Sequence, residues 1–124
     1  MALKPSNRLR RRSDFLRVYE QGRVAHGRSF TMFALNRGDR QDTRFGFTIV
    51  KRLGGAVVRN RLRRQLREAA RQALPHIEQG LDIVINAKSD AVAAGPGEIR
   101  ESLRALLRRA RARPAQANSG VEKQ

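Results

Sequence analysis

The side chains with the greatest chemical reach in this chain are its arginines. Residues 51–71, KRLGGAVVRNRLRRQLREAAR, hold eight Lys or Arg and one acid, Glu68. Arg59, Arg61, Arg63, Arg64 and Arg67 crowd around Asn60 within it. A guanidinium is a planar fork of donors that suits phosphates and base edges. So many on one short segment repel each other unless a polyanion lies against them. Asn60 can donate and accept, so it can read a base edge or fix the start of a helix. The plainer alternative for the arginines is a solvated helix face.

Hydrolytic chemistry would need other groups. A metal-dependent nuclease needs converging carboxylates. The 11 acids are scattered along the chain and form no D-x-D or E-x-x-H pair; Asp39 and Asp42 share a turn and favour it. His26 and His76 lie 50 positions apart (76 minus 26). Folding could join them as an acid–base pair, but His26 precedes Gly27 and His76 follows Pro75, and both read better as surface residues. Cysteine is absent, which removes disulfides, thiolate metal sites and thiol nucleophiles. There is no phosphate-cradling G-x-x-x-x-G-K and no G-x-G-x-x-G, and Gly54-Gly55 is a turn signal. We therefore expect no catalytic residue and no metal ligand on this chain.

The elements that must position the arginines follow from periodicity. Val58, Leu62, Leu66, Ala69 and Ala73 recur at steps of three or four, which predicts a helix over 56–73 with one buried stripe. It ends before Pro75. A first short helix is predicted over 13–21, with Ser13 as N-cap, Asp14 in the first turn and Gly22 as the stop. Residues 29–36 and 44–51 read as strands. The turn-rich NRGDRQDT between them predicts an antiparallel hairpin. Residues 81–87, LDIVINA, form a third strand whose Ile83-Val84-Ile85 suggests burial on both faces. A last helix over 97–111 carries Ile99, Leu103, Leu106, Leu107 and Ala110 as its apolar stripe, with arginines elsewhere. The order α-β-β-α-β-α predicts an α+β fold, a two-layer α/β sandwich with a small mixed sheet.

At 124 residues this reads as one domain over 1–113, with a surface for RNA or DNA. Residues 1–12 make a flexible basic arm and 114–124 a disordered tail. The net charge is +16, and 23 of the 27 basic residues are arginine. Such a surplus makes sense opposite nucleic acid. No window of 18 apolar residues and no secretory signal are seen, so no membrane contact is expected and a cytoplasmic location is the default.

The run Leu53-Gly-Gly-Ala56-Val-Val-Arg59-Asn60-Arg61-Leu62-Arg63-Arg64-Gln65-Leu66-Arg67 closely resembles the arginine-asparagine-arginine signature of the bacterial ribonuclease P protein component. Asn7-Arg8-Leu9, Ser13-Asp14-Phe15, Val18-Tyr19 and Gly22 lead up to it as in that family. The strand Gly46-Phe47-Thr48-Ile49-Val50-Lys51 precedes it, and LDIVINAK and the last amphipathic helix follow. The resemblance spans about residues 6–110. Gly55 departs from it, standing where the family commonly has Asn.

The resemblance implies a subunit of an endoribonuclease that removes the 5′ leader of precursor tRNA. In that family the large RNA subunit is the catalyst and, with the substrate, holds the Mg²⁺ ions; one protein joins one RNA. It implies a left-handed βαβ crossover around the signature helix. It assigns Arg59, Asn60, Arg61, Arg63, Arg64 and Arg67 to the large RNA, and Phe15, Tyr19 and Phe33 to a leader-binding cleft with Thr48 and Lys51 on its floor. Rings can stack on unpaired bases of any sequence. A small core also needs aromatics, and Phe30, Phe45 and Phe47 are the better core candidates. A ribosomal-type RNA-binding protein fits charge and size equally well, whereas an independent enzyme or a membrane-surface binder fits less well.

Overall fold

The computed structural model describes residues 3–112. Its helices are α1 (Arg12–Gln21), α2 (Ala56–Ala73) and α3 (Pro96–Ala112). Its strands are β1 (Arg23–His26), β2 (Phe30–Asn36), β3 (Arg44–Thr48) and β4 (Leu81–Ala87). They form a four-stranded mixed sheet in the order β1-β2-β4-β3. β2 pairs antiparallel with β1 and with β4, while β3 runs parallel to β4. The fold is the expected α+β sandwich, and α2 has the boundaries its stripe predicts.

The expected hairpin of residues 29–36 and 44–51 does not form. β4 lies between the two strands instead. The reason is in β4 itself: Ile83, Val84 and Ile85 are wholly buried, so this strand must sit inside the sheet with both faces covered. The NRGDRQDT segment therefore spans the end of β4 rather than turning a hairpin. Arg37 N–H donates to the Gly80 carbonyl and Gly80 N–H to that of Gln41, both at 2.8 Å. Gly80 has φ +87°, and a Cβ there would come within 2.2 Å of the Asp39 carbonyl oxygen, so only glycine suits the site. The hairpin that does form joins β2 to β1, a strand the sequence reading passed over. Its four residues are too few to show alternation, and pairing with β2 is what makes it a strand.

Alternation along the strands divides the sheet into two faces. Phe30, Met32, Phe45, Ile83 and Ile85 join Leu62, Leu66, Ile99, Leu103 and Leu106 in the main core under α2 and α3. The whole predicted α3 stripe is buried there. Leu103→Ala would cost about 2–5 kcal/mol. On the other face Val84 packs with Val18 of α1 and with Leu9.

Residues 3–12 are not the loose arm the composition suggests. Leu3 is 1% exposed in the main core. The Asn7 amide donates to the Thr43 carbonyl at 2.8 Å and Leu9 N–H to that of Phe45 at 2.9 Å. The segment thus adds to the free edge of β3, where unpaired backbone groups need partners. Helix α1 accordingly starts at Arg12, and Ser13 sits inside its first turn rather than capping it. The expected tail over 114–124 lies outside the described residues.

Candidate nucleic-acid interface

Helix α2 buries Leu62, Leu66, Ala69 and Ala70, which forces its arginines onto the flanks and the outer surface. At ~3.6 residues per turn, Asn60, Arg63 and Arg67 fall on one flank. That flank meets β3 and the edge-bound segment 8–10. Arg63 and Arg67 join Arg8 and Arg10 around a hollow of about 210 Å³ floored by Phe15 and Gly46, among others. Arg67 is held below the ordinary guanidinium value by burial, and further by the charges of Arg8 and Arg63. Cations that burden one another in this way favour an anion between them.

The other predicted residues of this helix do not share that hollow. Arg61 points to the opposite side, where it donates to the Val92 carbonyl at 3.1 Å. Arg59 donates to the Gly54 carbonyl at 3.0 Å and so braces the turn that starts the helix. Arg63 donates to the Asn60 side-chain oxygen at 3.3 Å, which ties these two signature residues together. Arg64 is exposed on the outer surface.

The second group lies on the opposite face of the sheet, beneath α1. Phe15 and Tyr19 come from α1, Phe33 from β2 and Thr48 from β3. The Tyr19 and Phe33 rings meet edge to face, with centroids 4.8 Å apart. The Tyr19 hydroxyl lies 2.9 Å from both Thr48 Oγ1 and Asn86 Oδ1. A phenol has one proton, so it donates to Asn86 and accepts from Thr48. Phe15 rests on Gly46, where a Cβ would come within 2.4 Å of the ring. All three predicted rings are half-buried against Leu9, Val18 and Val84. Each ring therefore packs inward and leaves part of itself to solvent. Lys51 stands exposed in the 3-10 turn Lys51–Leu53 that follows β3.

Asn86, Arg8 and Arg10 were missed as site residues. For Asn86 the signal was period two: it shares a face with Val84, and its register neighbours are Thr31 and Thr48. Together with His26 opposite Thr31, they lay a polar row across the sheet, beside an apolar row of Val24, Phe33 and Val84. For Arg8 and Arg10 no local signal existed, because the edge of β3 places them. Two further arginines serve the fold. Asp82, wholly buried, accepts from Nε and Nη2 of Arg44 at 2.9 and 2.8 Å and from Arg37.

Fold and site together define a small cationic α+β protein in which an arginine-bearing helix adjoins a group of half-buried aromatic rings. Among the described residues no His, Asp or Glu cluster could hold a metal ion, and no helix is long and apolar enough to cross a membrane. The family model described as Ribonuclease P matches residues 3–111. The chain belongs to the family of ribonuclease P protein components. It is 39% identical to the ribonuclease P protein component of Symbiobacterium thermophilum over 108 residues, 87% of this chain and 94% of that one. The Staphylococcus aureus RNase P protein superposes with a TM-score of 0.77 at 31% identity, covering 84% of this chain and 94% of that one. The Thermotoga maritima RNase P protein gives 0.74 at 30% identity, covering 82% and 96%.

Proposed function

We propose that this chain is the protein subunit of a ribonucleoprotein endonuclease that removes the 5′ leader of precursor tRNA. Arg59, Asn60, Arg61, Arg63, Arg64 and Arg67 meet the large RNA subunit, mainly through phosphates and 2′-hydroxyls. The unpaired leader lies in the cleft of Phe15, Tyr19, Phe33, Thr48 and Lys51. The observation that carries this reading is the placement of Arg63 and Arg67 beside Arg8 and Arg10 above Phe15. Charge that needs an anion borders rings that suit unpaired bases. Family membership supplies the reaction to which that surface is fitted.

On this reading the RNA subunit supplies the reactive groups, and Mg²⁺ is held mainly by it and the substrate. One protein acts per RNA, in the cytoplasm. The protein contributes binding. Leader contacts that mature tRNA cannot make hold substrate better than product, and the cationic surface screens two polyanions from each other. The test is cleavage of precursor tRNA by the catalytic RNA at low Mg²⁺, with and without the purified chain. Stimulation is expected. Its absence favours a purely architectural RNA-binding protein, and cleavage by the chain without RNA would place the active site on protein.

A further inference from the structure

We propose that the groove between α2 and α3 is a second RNA-binding site, occupied by an unpaired stretch of the large RNA subunit; this rests on the function proposed above. The groove encloses about 550 Å³. Its floor is apolar, built from Ala69, Ala73, Ile77, Leu103 and Leu107. Arg100, Arg104 and Arg108 line one wall, and Gln72 and His76 the other.

The three arginines are spaced i, i+4, i+8, which sets them in a row about 6 Å apart along the axis of α3. That repeat suits successive phosphates of an extended strand. The aliphatic floor beside such a row offers apolar surface against which a base or ribose turned inward can pack. Glu68 on α2 accepts from Gln72 of the opposite wall at 3.0 Å and from Arg71; beside the row, Glu101 accepts from Arg104 at 3.3 Å. Both partners of that pair are exposed, so the pair is weak and readily exchanged.

Charge selects the occupant. The chain carries +16, and the arginines assigned to α2 account for five of those charges (Arg59, Arg61, Arg63, Arg64 and Arg67). A second copy of so basic a chain would be repelled. Residues 113–124 offer one acid, Glu122, against Arg113 and Lys123, and cannot neutralise the row. A polyanion can. The leader is the wrong strand, because its cleft lies on the α1 face of the sheet and the groove on the face covered by α2 and α3. The flank of α2 that carries Arg63 and Arg67 is turned away from α3. The far flank of α2 and the arginine row of α3 would then grip one large RNA at two separated points, which raises affinity through effective concentration.

The experiment uses the full chain and the large RNA subunit transcript. The triple variant Arg100→Glu, Arg104→Glu, Arg108→Glu changes exposed side chains only, and circular dichroism checks that it folds. It is expected to bind the transcript ~10-fold or more weakly, with a salt slope lower by ~2, at ~0.7 per single-strand phosphate contact. A photo-crosslinker at Gln72 is expected to mark unpaired nucleotides of the transcript. Unchanged affinity and slope in the folded triple variant would overturn the proposal. So would crosslinks that fall on residues 113–124, on a second copy or on precursor tRNA. Arg63→Glu with Arg67→Glu is the control. If that pair loses binding and the triple variant does not, only the groove assignment fails. If neither does, the proposed function fails with it.

Discussion

Arg67 and Phe15 line the same hollow, yet they are held there by opposite means. Arg67 sits on a flank of α2 among Arg8, Arg10 and Arg63, with no acid lining the hollow. Burial first, and then the charges of Arg8 and Arg63, hold it below the ordinary guanidinium value. Phe15 and Tyr19, by contrast, are satisfied: one lies on Gly46, the other is bonded through its hydroxyl to Thr48 and Asn86. A surface kept in mutual repulsion is available for a ligand and contributes little to the fold. A surface that doubles as minor core cannot be altered without altering stability. The two halves of the proposed site should therefore answer mutation differently.

The largest effect is expected from Arg63→Glu with Arg67→Glu. Affinity for the large RNA should fall on the order of 100-fold and the salt slope by ~1.4–1.8, at ~0.7–0.9 per lost phosphate contact. Thermal stability should hold or rise, because a local repulsion is relieved. Filter binding over a salt series and a melting curve test this together; a large drop in melting temperature would break the contrast. Phe15→Ala comes next. Precursor tRNA binding should weaken about 10-fold, within the ~1–3 kcal/mol of one stacked base, while mature tRNA binding changes less. Unlike the arginine pair, this variant should also lose about 2–3 kcal/mol of stability in denaturant unfolding, below the ~3–5 kcal/mol of a wholly buried ring, since this half-buried ring packs on Leu9 and Val18. Equal losses for precursor and mature tRNA would reduce Phe15 to core.

Tyr19→Phe is expected to cost about 1–2 kcal/mol by stranding Asn86 and Thr48, with the ring contact to Phe33 intact. Unfolding against urea would show it. The smallest effect belongs to Glu68 on α2. The hydrogen bond from Arg71, then that from Gln72, hold this carboxyl at about 2, below its usual 4.5. A carboxylate depressed on folding contributes stability that is complete above its unfolded value and is lost as the pH falls through its folded one. Glu68→Gln should therefore flatten the fall in melting temperature between about pH 4.5 and pH 2 and leave neutral RNA binding nearly unchanged.

Local periodicity made α2 and α3 legible, because each carries an apolar stripe long enough to exclude other readings. β4 was legible as a strand from its continuous apolar run, and its two-sided burial was legible too, but its place between β2 and β3 was not. β1 was not, because its strand character comes from β2 alone. The arginine run could be read as a polyanion surface from charge density. Its division into Arg63 and Arg67 by the hollow, Arg61 at Val92 and Arg59 at Gly54 could not, because each partner lies on an element that only packing brings near.

By itself, then, the sequence determined which segments are helices, how much positive charge they carry, and to which family the signature belongs. These are properties of neighbours along the chain, where spacing and composition act directly. Tertiary structure alone decided the strand order, the docking of residues 3–9 on the β3 edge, and the meeting of Arg8, Arg67 and Phe15. Those contacts join residues far apart in sequence. They are selected by which unpaired edge and which uncovered face remain to be satisfied once the core has closed.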